Sequence, residues 1–223
     1  MLEALLSGDI RSFMMSLLFS LPIVLLALCV HETAHGLVAY KLGDPTARSL
    51  GRLTLNPLKH LDPIGFGCML LFGFGWAKPV PINARYFKDP KKGMALTAAA
   101  GPASNILMAL AFAILLRIFI GVISSVSYVG EFEYQLIYWT QVFLILGIRL
   151  NISLAVFNLI PVPPFDGSRI FLSMLPEKTY FAVMRYERYI YLAFLLILAM
   201  GWLDAPISFL TDKLMDLLLL ITF

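Results

Sequence analysis

The sequence predicts an all-α polytopic membrane protein with four to five transmembrane helices, and its composition gives the first reason. Of its 223 residues, 60% are hydrophobic and 14% are charged, whereas soluble domains carry about 25% charged residues. The mean hydropathy is +0.84, and several apolar runs approach the roughly 20 residues that a helix needs to cross a bilayer. These features exclude a disordered protein, a coiled coil and a disulfide-rich secreted domain. They also argue against an enzyme that works in water.

Four apolar segments are predicted to span the membrane as helices, and a fifth is ambiguous. The four lie at about residues 13–42, 94–120, 136–160 and 189–203. The stretch 205–223 is apolar but carries Lys213 and Asp216, so it is either a fifth span or a helix that lies at the interface. We therefore expect residues 1–223 to form a single integral-membrane domain.

Lysine and arginine residues are distributed unevenly between the predicted spans. Nine fall between Lys41 and Lys92, none between Gly121 and Gln135, and four between Pro161 and Arg188. By the positive-inside rule, the first and third stretches face the cytoplasm and the second faces outward. The sequence thus predicts a multi-pass protein of the cell membrane, embedded in the lipid bilayer. The net charge of +3 does not indicate a nucleic-acid partner, because the basic residues belong to these loops.

The segment Pro63–Ala77 is apolar and too short to span a bilayer. It holds four glycines in fifteen residues, which weakens a helix. Together with residues 80–82 it predicts a re-entrant or interfacial element, or a short β-hairpin. Such a backbone is tolerated at membrane depth only beside protein or a water-filled cavity, so the segment suggests a cavity near an active site.

The first predicted span ends in the sequence His31-Glu32-Thr33-Ala34-His35. Histidines at positions i and i+4 share one helix face, so both imidazoles can reach one metal ion beside Glu32. Two nitrogens and a carboxylate suit one zinc ion with a fourth position open for water, and zinc activates water and polarises a scissile carbonyl. Glu32 is then expected to take the proton of that water and pass it to the leaving amine.

A third protein ligand is needed, and Asp166 is predicted to supply it. It follows the uncharged stretch Leu150–Phe165, whose prolines break the helix and open backbone within the membrane. The first and third spans both end at the cytoplasmic side, so Asp166 and the two histidines should lie at similar depth, nearer the cytoplasmic face. His60, beside Lys59 and Asp62 in the basic loop, is expected to be a solvated interfacial residue instead.

Four segments of the chain resemble the site-2 protease family of intramembrane zinc metalloproteases. The first two are the HETAH sequence described above and the pattern N-x-x-P-x-P-x-x-D-G over Asn158–Gly167. The other two, Gly75–Asn83 and Ala100–Asn105, resemble the small bacterial and archaeal branch that lacks PDZ-like and CBS-like domains. The likeness covers residues 24–168, which is most of the chain.

The resemblance implies one zinc ion bound by His31, His35 and Asp166, with Glu32 as general base. It also implies that the substrates are membrane-spanning proteins, cleaved within their transmembrane segments. Asn158 matches the asparagine of the family pattern. The resemblance gives it contact with the substrate or the transition state, and the alternative is a hydrogen bond that holds the broken helix.

Two other function classes compete with the protease. A divalent-metal transporter or metal-binding membrane protein could use the same three ligands, but it has no use for Glu32 as a base. A catalytically dead scaffold is disfavoured because every catalytic position is intact. Arg149 lies inside the third predicted span and is expected to pair with a buried polar group that the sequence does not identify. The sequence indicates no oligomeric state.

Overall fold

The computed structural model describes residues 8–72, 75–125 and 130–222. Within these ranges the chain forms α-helices, one 3-10 turn and no strand. The helices are α1 Ile10–Lys41, α2 Thr46–Ser49, α3 Pro57–His60, α4 Pro63–Phe72, α5 Pro90–Ile123, α6 Glu131–Asn158, α7 Asp166–Leu172, α8 Glu177–Arg185, α9 Glu187–Ala199 and α10 Asp204–Thr222, and the 3-10 turn is Ala84–Tyr86. The all-α prediction is therefore confirmed over the described part of the chain.

The long helices begin and end at residues with local physical causes. The Asp9 carboxylate accepts a hydrogen bond from the backbone N–H of Ser12 and caps α1. Asp89 caps α5 in the same way through Lys92, and Pro90 occupies the first turn, where its missing N–H costs nothing. After α1, Gly43 has φ +108°, a left-handed conformation that favours glycine. The two caps start α1 at Ile10 and α5 at Pro90, before the predicted spans begin, and Gly43 follows the end of α1.

The core lies where α1, α5 and α6 pack together, and α10 covers one side of it. Because α5 is lined by alanines at the contact, the three helices approach closely. The buried core residues are Ile23, Ala109, Phe112, Ala113, Leu116, Leu144, Ile148, Ile152 and Val156, and Ile207, Met215, Leu218 and Leu219 of α10 pack against them. The fold is thus three packed long helices with a fourth helix attached.

Three helices among the described residues, α1, α5 and α6, are long and apolar enough to cross a membrane. They correspond to the first three predicted spans. The fourth predicted span, 189–203, becomes the 13-residue helix α9, which is only about 20 Å long at 1.5 Å per residue. The hydrocarbon core is about 30 Å thick. The predicted count of four to five spanning helices is therefore not confirmed, and α9 is too short to be one of them.

The glycine-rich segment contains a helix rather than the β-hairpin that was one of its predicted forms, and a re-entrant or interfacial position stays a prediction. Residues 63–72 form helix α4, whose first turn is capped by the Asp62 carboxylate. A single antiparallel bridge joins Leu61 to Ala77, and residues 73–74 lie outside the described residues. A Cβ on Gly65 would lie 2.3 Å from the Trp76 carbonyl oxygen. This glycine therefore permits a close approach of the returning chain, a role that helix propensity does not reveal.

Two arginines of the long helices bind α10. Arg149 of α6 forms an ion pair with Asp212, with 3.1 Å between the guanidinium nitrogen and the carboxylate oxygen. Arg117 of α5 donates to the backbone carbonyl of Thr222. The predicted partner of Arg149 was a buried polar group, whereas the side chains of Arg149 and Asp212 are 52% and 54% exposed. The sequence could not name Asp212, because it lies 63 positions further along the chain.

Candidate metal centre

The C-terminal half of α1 carries two buried histidines on one face. His31 and His35 are 5% and 6% exposed, and their Nε2 atoms lie 2.9 Å apart. The helix repeat places residues i and i+4 one above the other. The predicted pairing of these two imidazoles is therefore realised in the geometry of the fold.

Asp166 reaches the same point from the start of α7. Its Oδ2 atom lies 3.1 Å from Nε2 of His31 and 3.2 Å from Nε2 of His35. The proline-rich connection after α6 ends there, and Gly167 packs directly on the backbone of Leu159. The structure thus brings together the three residues that the sequence predicted as ligands.

The neutral tautomers of the two histidines leave three acceptor atoms close together: both Nε2 atoms and Oδ2 of Asp166. Nδ1 of His31 lies 2.6 Å from the side-chain oxygen of Asn105, and Nδ1 of His35 lies 2.7 Å from the backbone carbonyl oxygen of Thr97. Both neighbours accept hydrogen bonds, so in a neutral imidazole Nδ1 carries the proton and Nε2 carries a lone pair. The Nε2 lone pairs of both histidines then lie beside Oδ2 of Asp166, a buried oxygen that has no hydrogen-bond donor. A cation stabilises such an arrangement.

The spacing of the three atoms also fits a small tetrahedral ion. Zinc binds imidazole nitrogen and carboxylate oxygen at about 2.0–2.1 Å, which places tetrahedral ligand atoms about 3.3 Å apart. The observed separations are 2.9, 3.1 and 3.2 Å. The donor set and its dimensions therefore fit one zinc ion with a fourth position open.

Glu32, beside this cluster on α1, is held by the chain that returns from α4. Its Oε2 atom accepts a hydrogen bond of 2.7 Å from the backbone N–H of Val80. Arg52, which is 9% exposed, fixes the same segment by donating to the carbonyl oxygens of Lys78 and Pro79 at 2.7 and 3.3 Å. The carboxylate of Glu32 is thus oriented by a backbone donor, and no lysine or arginine neutralises it by a close contact in the described residues.

Asp44, just after α1, binds the C-terminal end of the chain that returns from α4, at Asn83. This fully buried carboxylate accepts from the backbone N–H groups of Asn83 and Thr46 at 2.7 and 2.9 Å, and from the Thr46 hydroxyl. Burial acts to raise the pKa of Asp44, but these donors outweigh it and hold the pKa below its usual value. The carboxylate therefore stays ionised at neutral pH and keeps the segment in place.

Comparisons with known proteins assign the chain to a family. The family model of Peptidase family M50 matches residues 19–201. The chain belongs to peptidase family M50. The predicted resemblance to the site-2 proteases is thereby confirmed, and the competing transporter and scaffold classes lose their support. No solved structure matches the chain.

Relatives of this M50 peptidase occur in bacteria and archaea, and each carries the name "Putative zinc metalloprotease". YwhC of Bacillus subtilis is 40% identical over 177 residues, which cover 78% of this chain and 77% of YwhC. Rip2 of Mycolicibacterium smegmatis is 30% identical over 64% of this chain and 52% of its own length. MJ0611 of Methanocaldococcus jannaschii is 34% identical over 63% of this chain and 62% of its own length.

Gly101 of α5 is a residue of the M50 site whose contact the sequence did not predict. A Cβ placed on it would lie 2.4 Å from Nε2 of His35 and 2.5 Å from Nε2 of His31. Both distances approach the length of a zinc–nitrogen bond. A methyl group would therefore occupy the space that the metal needs, and the absence of a side chain is what lets α5 close this face of the site.

We expect Gly101→Ala to abolish zinc binding and proteolysis without unfolding the protein. The measurement is zinc per polypeptide by mass spectrometry after gel filtration in detergent. Gly121→Ala is the matched control, because it lies on the same helix with no atom within 4 Å of the new Cβ, and it should keep full zinc. Full zinc occupancy in Gly101→Ala would contradict the geometry of the site.

His60 differs from its prediction. It is 2% exposed rather than solvated, and its Nε2 lies 2.7 Å from the carbonyl oxygen of Thr54. Its own carbonyl oxygen accepts from the N–H of Lys78 at 2.7 Å. The charged neighbours misled the prediction: Lys59 is exposed and Asp62 caps α4, while the His60 ring packs inward. His60 does not belong to the metal-ligating group found in the described residues.

Asn158 is the last residue of α6 and is half-buried. Its side-chain amide donates to the carbonyl oxygen of Leu154 at 2.9 Å, one turn earlier in the same helix. This hydrogen bond matches the structural alternative given for Asn158. A contact with a substrate stays a prediction.

Proposed function

We propose that this M50 peptidase is an intramembrane zinc endopeptidase that cleaves transmembrane segments of membrane proteins. The observation that carries the proposal is the meeting of three acceptor atoms, from His31, His35 and Asp166, within 3.2 Å of one another in the helical part of the fold. The names of the relatives support zinc as the metal. One ion suffices for this ligand set.

Each residue of the site has a distinct task in this mechanism. His31, His35 and Asp166 would hold the zinc ion, which when bound would lower the pKa of water and polarise the scissile carbonyl. Glu32 accepts the proton of the attacking water and delivers it to the nitrogen of the leaving amine. The backbone N–H of Val80 keeps one oxygen of Glu32 in place, so that the carboxylate does not rotate away between the two proton transfers.

An open cleft lies beside the proline-rich connection that leads to Asp166. It has a volume of about 690 Å³ and lies between the chain after α4, the proline-rich connection and α9, with the lining residues Trp76, Pro164, Arg185, Glu187, Arg188 and Tyr191. Pro164 is two residues before Asp166 in the sequence, but neither the three proposed ligands nor Glu32 lines the cleft. Trp76 of the glycine-rich segment does line it, which supports the prediction that this segment borders a cavity.

We further propose that α10 is the fourth spanning helix and runs from the cytoplasmic face outward. Its 19 residues have a length of about 28 Å, close to the thickness of the hydrocarbon core. Arg117, at the predicted outer end of α5, binds the last turn of α10 at Thr222. The Arg149–Asp212 ion pair allows both charges to lie within the membrane, since each neutralises the other.

On this arrangement α9 lies at the cytoplasmic face. Phe194, at its middle, packs against Phe165 with ring centroids 4.8 Å apart and against Phe157 at 6.3 Å. Phe157 belongs to the predicted cytoplasmic end of α6, so α9 lies at that depth. A helix that begins and ends on the same side lets α10 start in the cytoplasm. The active site then lies nearer the cytoplasmic face of the cell membrane.

The topology predicts which introduced cysteines react with a membrane-impermeant thiol reagent added outside. On a background lacking Cys29 and Cys68, Glu131→Cys should react, whereas Lys88→Cys and Trp202→Cys should stay protected until the membrane is opened. Reaction at position 88 but not at 131 would reverse the orientation. Reaction at position 202 from outside would mean that α9 crosses the membrane.

Cleavage of a model single-span substrate tests the proposed activity. Purified protein in detergent or liposomes is incubated with the substrate, and the product ends are mapped by mass spectrometry. We expect a cut inside the transmembrane segment that a zinc chelator stops and added zinc restores. A cut confined to the soluble flank of the substrate would refute the intramembrane part of the proposal.

A further inference from the structure

We infer that Asn105 and Asn151 are positioning residues that hold His31 in the one tautomer able to bind a metal. The two side chains form a hydrogen-bonded chain that starts at the backbone of α6 and ends on the ring of His31. The inference rests on the proposed metal site. It assigns to two asparagines of α5 and α6 a role in preparing a ligand of α1.

The chain of hydrogen bonds joins three helices, and its side chains are buried. Asn105 and Asn151 are both 0% exposed. Nδ2 of Asn151 donates to the Gly147 carbonyl oxygen at 2.9 Å, and Nδ2 of Asn105 donates to Oδ1 of Asn151 at 3.2 Å. Oδ1 of Asn105 then lies 2.6 Å from Nδ1 of His31. Nδ2 of Asn105 also lies 3.5 Å from the Ala27 carbonyl oxygen on α1.

The direction of this chain is set at its far end. The carbonyl of Gly147 can only accept, so Asn151 must turn its NH₂ group towards it and its oxygen towards Asn105. That oxygen can only accept in turn, so Asn105 turns its own NH₂ group to Asn151 and its oxygen to His31. His31 must therefore donate from Nδ1, and its Nε2 lone pair faces Asp166.

His31 needs this arrangement, and His35 does not. The acceptor for Nδ1 of His35 is the backbone carbonyl oxygen of Thr97, which has no alternative orientation. The acceptor for His31 is a side-chain amide, which can present either an oxygen or an NH₂ group after a flip. With the NH₂ group facing it, His31 would carry its proton on Nε2 and could not bind a metal through that atom. Asn151 removes this alternative, with a longer contact from the Ala27 carbonyl oxygen acting in the same direction.

A purely structural role for the two asparagines is the competing explanation, since buried polar side chains also join helices in membranes. The two explanations differ in what happens to His31 itself. A structural role predicts that mutants lose stability while the metal affinity of the folded protein is unchanged. A positioning role predicts a change in the tautomer of one histidine, with zinc affinity following it.

The test combines zinc affinity with a direct observation of the tautomer. Zinc affinity is measured by competition with a chelator in detergent. The tautomers are measured by ¹⁵N NMR of zinc-free protein labelled at its three histidines, under conditions where the rings are neutral. Thermal unfolding of the zinc-free protein reports stability. The variants are Asn105→Leu, Asn105→Asp and Asn151→Leu, with Ile152→Ala as control because Ile152 is equally buried beside Asn151 and makes core contacts only.

Asn105→Leu and Asn151→Leu should weaken zinc binding about 10–100-fold, the range found when partners of metal-ligating histidines are removed. His31 should then populate both tautomers. Asn105→Asp should keep zinc affinity within a few-fold, because an oxygen still accepts from Nδ1. Ile152→Ala should lower the unfolding temperature and leave zinc affinity and tautomers unchanged.

An unchanged His31 tautomer and zinc affinity in folded Asn105→Leu would overturn the inference. A wild-type protein that takes up no zinc would overturn the proposed metal site instead, and the NMR spectra of the zinc-free protein would still decide whether Asn105 fixes His31. If Ile152→Ala weakened zinc binding as much as Asn105→Leu, helix packing rather than hydrogen-bond direction would control the site, and the inference would be wrong.

Discussion

Replacing Glu32 with glutamine should reduce cleavage of a membrane-spanning substrate by about 10²–10⁴-fold, the usual contribution of general acid–base catalysis, and leave bound zinc unchanged. The amide is isosteric with the carboxylate and can still accept from the N–H of Val80, which in the native protein binds Oε2 of Glu32 at 2.7 Å. Only the capacity to take a proton is lost. The measurement is the initial cleavage rate together with zinc per polypeptide.

The control for Glu32→Gln is Glu131→Gln, an exposed carboxylate in the first turn of α6, which should keep both activity and zinc. Cleavage by Glu32→Gln within a few-fold of the wild-type rate would show that Glu32 is not the base. Loss of zinc together with activity would instead show that Glu32 helps to build the metal site.

Replacing Asp166 with alanine should remove most of the bound zinc along with the activity. Two histidines alone leave a tetrahedral ion under-coordinated, and Oδ2 of Asp166 is the carboxylate oxygen that lies 3.1 and 3.2 Å from their Nε2 atoms. Zinc per polypeptide after gel filtration in detergent measures the effect. The contrast with Glu32→Gln, which should lose activity alone, separates the ligand from the base.

His60→Gln is the control for the ligand assignment, because its amide can still donate to the Thr54 carbonyl oxygen that the His60 ring contacts. It should keep its zinc. Full occupancy in Asp166→Ala, with loss in His60→Gln, would mean that the wrong third ligand had been assigned.

The grouping of the three proposed ligands was predictable because its signals are local or follow from depth. The i, i+4 spacing of His31 and His35 fixes their common face within one helix. Asp166 follows a helix end that should lie at the same depth, and the fold places it against both rings. Neither step requires knowledge of how the helices rotate against one another.

The residues around the proposed ligands could not be predicted, because their contacts depend on the rotational orientation of each helix about its axis. Asn105, Asn151 and Gly101 face the site only in the register that the packing of α1, α5 and α6 selects. The segment Ala100–Asn105 was noted for its resemblance to the family, yet its sequence does not show which of its residues contacts His31. The partner of Arg149, Asp212, could not be predicted for the same reason.

Two differences between the predicted and the observed fold have a common origin, because the prediction used properties averaged over single segments. The glycines of the segment after His60 were counted as helix breakers, but Asp62 caps the helix α4 and Gly65 serves a close approach. The stretch 189–203 was judged by its hydropathy, but the helix Glu187–Ala199 is too short to span and is held by Phe194 at the end of α6. Propensity and hydropathy describe single segments, whereas these outcomes depend on contacts between segments.

A zinc titration of metal-free protein tests the central claim most directly. The purified protein is stripped with a chelator and reloaded in steps, and the cleavage rate of a single-span substrate is measured at each ratio of zinc to polypeptide. The account predicts no cleavage without metal, a linear rise, and a plateau at one zinc per chain that His31→Ala cannot reach. Undiminished cleavage by the metal-free protein, or a plateau reached equally by His31→Ala, would contradict it.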